Sequence, residues 1–451
     1  MDNKKLDLLR DSINLLDDKI LDLLKERSEI VTKIGEQKNS KINVVDIDRE
    51  QKVLDRLLHN SKAKYSKDSI VRIWREIFQA STKLQENSNS AINTKRSINS
   101  INIYKGGKSS VKGRENIIKL SSNENSYGPS PKVMKVIKKE ETLLNAHRYP
   151  NIDGSKLREK LASVNSLDPS RIVLGCGSDE TLLFAALAFC QDGDDIIHAQ
   201  HGFEMYSIIS KVVGATSKLI KEDENFKINV HSILNEVTPS TKIIYLANPN
   251  NPTGTYLART EIVNLLKELP KNIVVVLDGA YAEYVMQDDY DGGFSLTEEF
   301  ENIIITRTFS KAFGLAGLRI GWCYASEKVA HILNKVKGPF NTQSISQEMA
   351  IIALEDKEYL EKVVNNNHVV KKWFEDELKK LDINVHSSEG NFSFVETSKE
   401  RVKIISTHLI NEGILVRQLD SYSLPNCLRI TIGTKVEMEE TIKSLKKLQN
   451  D

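Results

Sequence analysis

IIITRTFSKAFGLAGLRIGW, residues 303–322, decides the reading of the larger part of the chain. Ile303–Arg307 is a short β-branched run of the kind that fills a strand buried on both faces. Just beyond its end stands Lys311, in a neighbourhood rich in glycine and alanine. One lysine proves little, because most lysines are solvated. Its company changes the odds. Four other apolar runs, Arg171–Leu174, Ile196–Ala199, Lys242–Leu246 and Ile273–Leu277, end in strings with matching chemistry. Helical stretches separate most of these runs, which predicts a mainly parallel sheet covered by helices. Ligands collect beyond the carboxyl ends of such strands.

The first run leads into GCGSDETLLFAALAF. Gly175 and Gly177 permit a tight turn, and a helix beginning near Ser178 and Asp179 can cradle a phosphate on its backbone N–H groups. Alone, this string reads more readily as an ordinary capped strand-to-helix turn. HGFEMY places Phe203 as an aromatic wall. ANPNNPTG can neither extend a strand nor begin a regular helix, and it fixes Asn251 at the sheet edge. DGAYAEY brings Asp278 out of a buried strand, where a carboxylate calls for a cationic partner, although a helix cap is the blander reading. After about Gly338, long helices alternate with short strands and suggest a smaller second subdomain.

Length and composition frame these motifs. At 451 residues the chain is too long for one ordinary core. A net charge of +1 gives no field that favours nucleic acid or an anionic membrane. The first residues carry no apolar signal core, and the densest apolar stretch, Leu182 to Cys190, is too short to span a bilayer. Cys176, Cys190, Cys323 and Cys427 are scattered, which argues against disulfides and against a metal site and points to a reducing cytoplasm.

The N-terminal region has a different character. Leu6, Leu9, Ile13, Leu16, Ile20 and Leu23, then Ile30 and Ile34, recur at alternating spacings of three and four, the seam of a long packed helix. Asp46 caps a second helix through Leu58, and a third runs from Ser69 to Gln85. Arg27 occupies a seam position, either snorkelling at the surface or buried to meet an anion. Arg10 lies seventeen residues earlier, about 25 Å away along one helix, so the two cannot hold one small ligand from the same chain. The polar run ENSNSAINTKRSINS, Glu86–Ser100, reads as a linker. The expected division is 1–88, a linker at 89–100, and 101–451.

LLRDSINLLDDKILDLLKERSEIVTKIGEQK, VVDIDREQKVLDRL and IWREIFQASTKLQ together resemble the all-helical chorismate mutases. That resemblance implies a three-helix domain acting on chorismate. Its site would comprise Arg10 from a second subunit, Arg27, Lys38, Asp46, Arg49, Glu50, Ser81 and Gln85. The rearrangement to prephenate involves no proton transfer, so the site need only hold the compact conformer and stabilise charge on the ether oxygen. Cations would meet the two carboxylates, Lys38 and Gln85 the ether oxygen, and Glu50 the ring hydroxyl. Asp46 is also readable as a plain cap, and Arg49 with Glu50 as a solvated face.

From IIKLSSNENSYGPSP (117–131) to CLRITIGT (427–434), the larger region resembles the fold-type I aminotransferases, most closely those acting on histidinol phosphate and their relatives that use aromatic substrates. The resemblance implies pyridoxal phosphate held covalently by Lys311. Asp278 would meet the pyridinium nitrogen, Asn251 and Tyr281 the phenolic oxygen, and Phe203 the ring face. Ser178, Asp179, Ser310 and Arg319 would hold the phosphate, joined by Tyr149 of a second subunit, which makes the protein a homodimer. Arg429 would bind the substrate α-carboxylate, with Tyr127 and Arg417 as further substrate contacts. Ser126 stands where relatives often carry proline, and His201 and Phe203 where proline and tyrosine are commoner.

The pairing of domains favours prephenate, with arogenate as product, or a related aromatic keto acid, with a donor such as glutamate. KGPFNTQSISQ is similar to the relatives active on prephenate, whereas Arg417 suits a phosphate or a second carboxylate equally. The alternatives are a histidinol-phosphate aminotransferase with a silent helical module for dimerisation or effector binding, and another pyridoxal reaction at Lys311.

Overall fold

The computed structural model describes residues 3–37, 47–60, 63–85, 95–104, 106–111, 113–114, 116–139 and 146–450. They divide into two compact units, Met1–Lys95 and Arg96–Asp451.

The first unit holds three helices, α1 (Asn3–Gln37), α2 (Ile47–Asn60) and α3 (Lys67–Gln85). Leu54 of α2 buries against Val71 and Phe78 of α3, with Val53, Leu58 and Trp74 at the margin. Gly35 lets α1 approach α3 closely, because a Cβ there would stand 3.1 Å from Gln85 Cγ. The rest of α1 is unlike an ordinary packed helix. Leu6, Leu9, Ile13, Leu16, Ile20 and Leu23 keep the three-and-four spacing, yet each is 47–64% exposed.

Twelve strands are described in the second unit: β1 (Ile118–Leu120), β2 (Ile172–Gly175), β3 (Asp195–Ala199), β4 (Thr216–Ile220), β5 (Thr241–Ala247), β6 (Val274–Asp278), β7 (Ile303–Thr308), β8 (Gly321–Ala325), β9 (Asn384–His386), β10 (Phe392–Glu396), β11 (Ile414–Leu419) and β12 (Leu424–Thr431). Seven form the large sheet in the order β2-β8-β7-β6-β5-β3-β4. The five anticipated runs all lie in it. The sheet is parallel except at β8, which runs antiparallel between β2 and β7. The sequence reading passed over β8 because its first residues continue a glycine-rich string, and β4 because an edge strand need not be uniformly apolar.

Alternate residues of one strand feed two separate cores. Ile243 and Tyr245, Val274 and Val276, and Ile304 face one helical layer. Ile244 and Leu246, Val275 and Leu277, and Ile303 and Ile305 face the other. Burial on both faces explains runs with no polar alternation. The smaller sheet, β1-β11-β12-β10-β9, draws β1 from well before Gly338, pairing Ile118 in parallel with Ile414. The second subdomain is therefore built from both ends of the unit, where the sequence suggested a C-terminal block alone.

Gly321 joins the first turn of β8 to the start of the helix Ser178–Phe189. A Cβ there would lie 2.4 Å from Ser178 N and 2.5 Å from Gly177 C, backbone atoms that no rotamer can move. Gly321→Ala is expected to lower the thermal unfolding midpoint by roughly 2–10 °C, as overpacking does in a large domain. Calorimetry on the purified variant checks this, and an unchanged midpoint would contradict it.

Candidate active site

The carboxyl ends of β2, β3, β5, β6 and β7 converge on a cavity of about 430 Å³. Its lining includes Ser178, Asp179, Phe203, Asn251, Asp278, Tyr281, Ser310, Lys311, Arg319, Arg417 and Arg429. All of these were named from sequence.

Asp278 ends β6 and is 4% exposed. Tyr206 OH donates to its Oδ2 at 2.8 Å and Thr306 Oγ1 to its Oδ1 at 2.9 Å. Burial pushes its carboxyl up, while Tyr206, Thr306 and the backbone of Ala280 pull the other way. Tyr206 stacks on Tyr245 at 4.8 Å and meets Phe203 edge-on at 5.8 Å. Neither Tyr206 nor Thr306 was singled out from sequence. Tyr206 lies three residues past Phe203 in HGFEMY, which is the signal that was available.

Lys311 Nζ donates to the Ser122 carbonyl at 3.1 Å and lies 5.7 Å from the Tyr281 ring centroid. Tyr281 OH accepts from Asn123 Nδ2 at 2.9 Å. Asn123 is fully buried in a left-handed backbone, φ 56°, and Thr431 Oγ1 donates to its Oδ1 at 3.0 Å. Asn123 escaped the sequence reading, since nothing in SSNENS marks a positive φ.

The helix Ser178–Phe189 begins after Gly177, at φ 79°, with no side-chain cap on its N-terminus. Its first N–H groups are therefore not taken by a local oxygen. Arg319, also left-handed at φ 48°, lies 3.3 Å from Asp179 Oδ2.

Arg429 is 6% exposed. Its Nη1 donates to Asn251 Oδ1 and its Nη2 to the Ser121 carbonyl at 2.9 Å. Its Nε is buried with no hydrogen-bond partner among the described residues. Tyr104, Tyr422, Gly106 and Gly107 also line the cavity, none of them anticipated.

Two named residues stand apart from this cavity. Tyr149 is 81% exposed and stacks on Phe340 at 4.5 Å. Tyr127 is 37% exposed, and its carbonyl accepts from Tyr359 OH at 3.0 Å.

In the helical unit, Arg27 Nη1 donates to Ser81 Oγ, and Ser81 Oγ donates onward to the Ile77 carbonyl at 2.6 Å. Gln85 follows one turn later, its Oε1 buried with no partner among the described residues. Arg49 and Glu50 lie in the first turn of α2, exposed and half-buried. Arg10 is exposed and pairs with Asp7 at 3.2 Å. Lys38 and Asp46 lie outside the described residues. Those described residues include no group of three or more His, Cys, Asp or Glu placed to hold a metal.

Comparison with known proteins matches each of the two units to a family. Residues 115–445 match the family "Aminotransferase class I and II", and residues 9–86 match "Chorismate mutase type II". A histidinol-phosphate aminotransferase of Cereibacter sphaeroides is 41% identical over 344 residues, 76% of this chain and 94% of that one. One from Paramagnetospirillum magneticum is 41% identical over 346 residues, again covering 76% and 94%. The crystal structure of the Sinorhizobium meliloti histidinol-phosphate aminotransferase with pyridoxal-5'-phosphate superposes with a TM-score of 0.71 at 25% identity, covering 75% and 92%.

Pyridoxal phosphate is the coenzyme of this fold, and the cavity suits it. A buried carboxylate whose hydrogen bonds come from neutral groups accommodates a protonated ring nitrogen. An uncapped helix start beside an arginine accommodates a phosphate. The chain belongs to the class I and II aminotransferases, and it carries a chorismate mutase type II domain ahead of the aminotransferase domain.

Proposed function

We propose that the chain makes prephenate from chorismate and transfers an amino group, from a donor such as glutamate, to prephenate or a closely related aromatic 2-oxo acid. The observation that carries this reading is the presence of both domains in one chain. Prephenate, the mutase product, bears the 2-oxo acid group that an aminotransferase needs. The names of the relatives favour a second reading, transamination of histidinol phosphate with the helical domain silent.

In the mutase unit the residues act by position and charge. Arg27, held by the Ser81 hydroxyl, keeps its full charge for a substrate carboxylate. Arg49 and the partner copy's Arg10 meet the remaining charge, Lys38 and Gln85 donate to the ether oxygen, and Glu50 and Asp46 orient the ring. The uncovered α1 seam supports a homodimer, because each leucine or isoleucine buried contributes about 2 kcal/mol and six stand exposed in register. The four free cysteines suit a reducing cytoplasm.

In the aminotransferase unit, bound pyridoxal phosphate supplies the electron sink that makes the substrate Cα proton removable. Lys311 would hold the coenzyme through its Nζ and, as a free amine, would move that proton. Asp278, kept in place by Tyr206 and Thr306, holds a proton on the ring nitrogen. Asn251 and Tyr281 donate to the phenolic oxygen, and Phe203 covers the ring face. Ser178, Asp179, Ser310 and Arg319 bind the phosphate together with Tyr149 of a second copy. Arg429 forks onto the α-carboxylate, and Tyr127 and Arg417 complete the substrate wall.

Three outcomes test these assignments. Offered prephenate, phenylpyruvate and imidazole-acetol phosphate with glutamate, the enzyme should show its highest kcat/KM on an aromatic acid. A far higher value on the imidazole compound defeats the assignment. Full-length chain should consume chorismate, with Arg10→Ala and Arg27→Ala each inactive alone and activity returning when the two are mixed and re-associated. No turnover by wild type supports the silent module, and no recovery on mixing contradicts a shared site. Asp278→Asn should slow the glutamate half-reaction on the order of a hundredfold or more, since it removes the charge but keeps the shape; a stopped-flow rate near wild type would remove Asp278 from the chemistry.

A further inference from the structure

Arg417 and Arg429 are Cα partners on the antiparallel pair β11 and β12, so their side chains leave the same face of the sheet. Both line the cavity. They differ in their company. Arg429 is bonded to the Asn251 side-chain oxygen and to the Ser121 carbonyl, both neutral. Arg417 lies close to an acid: Glu204 Oε2 stands 3.9 Å from Arg417 Nη2, with the two side chains 28% and 13% exposed. That separation is an ion pair and not a hydrogen bond. The same Glu204 oxygen is buried and has no hydrogen-bond partner among the described residues. Tyr104, which also lines the cavity, feels Arg417, Arg429 and Glu204 together, and burial pushes its phenol up, so it donates hydrogen bonds without adding charge.

We propose that Glu204 sets the charge of this anion subsite and so selects a carboxylate over a phosphate monoester. With two arginines and one glutamate the subsite carries a single formal positive charge. An amino or 2-oxo acid presents one negative charge beside its reacting carbon. Histidinol phosphate has no carboxylate there. It carries a phosphate ester on that side, with a charge of about −1.5 to −2 at neutral pH. Against the second charge the Glu204 carboxylate is repulsive, and in a partly desolvated pocket that repulsion is weakly screened. This deepens the aromatic 2-oxo acid reading and rests on Arg429 as the carboxylate-binding residue. Phe203, directly before Glu204, faces the coenzyme ring in that same reading, so one short segment serves both the ring and the specificity of the anion subsite.

The test uses full-length, coenzyme-loaded wild type, Glu204→Gln and Glu204→Asp in single-turnover half-reactions with L-phenylalanine and with L-histidinol phosphate. The measured quantity is the ratio of the two second-order rate constants, phosphate donor over carboxylate donor. Glu204→Gln should raise this ratio roughly tenfold, mainly through tighter binding of the phosphate donor, and Glu204→Asp should return it toward wild type. Added salt should shrink the difference. An unchanged or lowered ratio in Glu204→Gln, or a parallel change on both donors, overturns the assignment. Should Glu204→Gln fold poorly, Glu204→Ser gives the same comparison. The ratio is internal to each enzyme form, so it judges Glu204 whichever keto acid the wild type prefers. The keto-acid panel judges the aromatic reading separately.

Discussion

The buried carboxylate of Asp278 is the fixed point of the larger unit. Taking an ionised carboxylate out of water costs several kcal/mol, and bonds from neutral donors return only part of that. Tyr206 and Thr306 supply those bonds from two other elements, the helix Met205–Val213 and strand β7. The constraint then spreads. Tyr206 stacks on Tyr245 of β5, nearly parallel at 2°, and Tyr245 OH donates to the Leu182 carbonyl in the helix whose first residues, Ser178 and Asp179, line the cavity. One line of contacts thus ties Asp278 to the helix Ser178–Phe189 on the other side of the cavity's lining.

Much of this was legible in the sequence because the site sits at strand ends. A strand buried on both faces is a run of Ile, Val and Leu, and the residue that breaks the run is where function begins. Lys311, Asp278, Asn251 and Phe203 were found that way. Contacts made between distant elements were not legible. Asn123 adopts φ 56° and bridges Tyr281 to Thr431, a role that only the assembled sheets reveal. Strand β8 was hidden because Gly321 must be glycine to clear Ser178 N, and a glycine at that point reads as a loop. In the helical unit the reverse holds. The three-and-four spacing foretold a packed seam, and within one chain that seam of α1 stays uncovered. The periodicity marks an apolar face of α1, and the packing expected of that face is not made within the chain.

The arginines of the cavity and of the helical unit stand in two kinds of setting. Arg27 and Arg429 bond to a hydroxyl, an amide oxygen and a carbonyl. Such partners fix the guanidinium without cancelling its charge, so the whole attraction is available to a ligand. Arg319 and Arg417 instead sit near Asp179 and Glu204. There the acid both orients the cation and lowers the net charge that an anion meets. At Arg319 the loss is offset, because the uncapped N-terminus of the helix Ser178–Phe189 adds its own partial positive charge and its free N–H groups. At Arg417 the acid is itself the N-cap residue of the helix Met205–Val213, so Glu204 stands between the guanidinium and a helix start. The charge an anion meets at either corner thus depends on the acid and the helix start beside the arginine as well as on the guanidinium itself. A guanidinium held by neutral partners keeps its charge for a ligand and one paired with an acid gives part of it up, so the partner each arginine keeps matters more than the number of arginines.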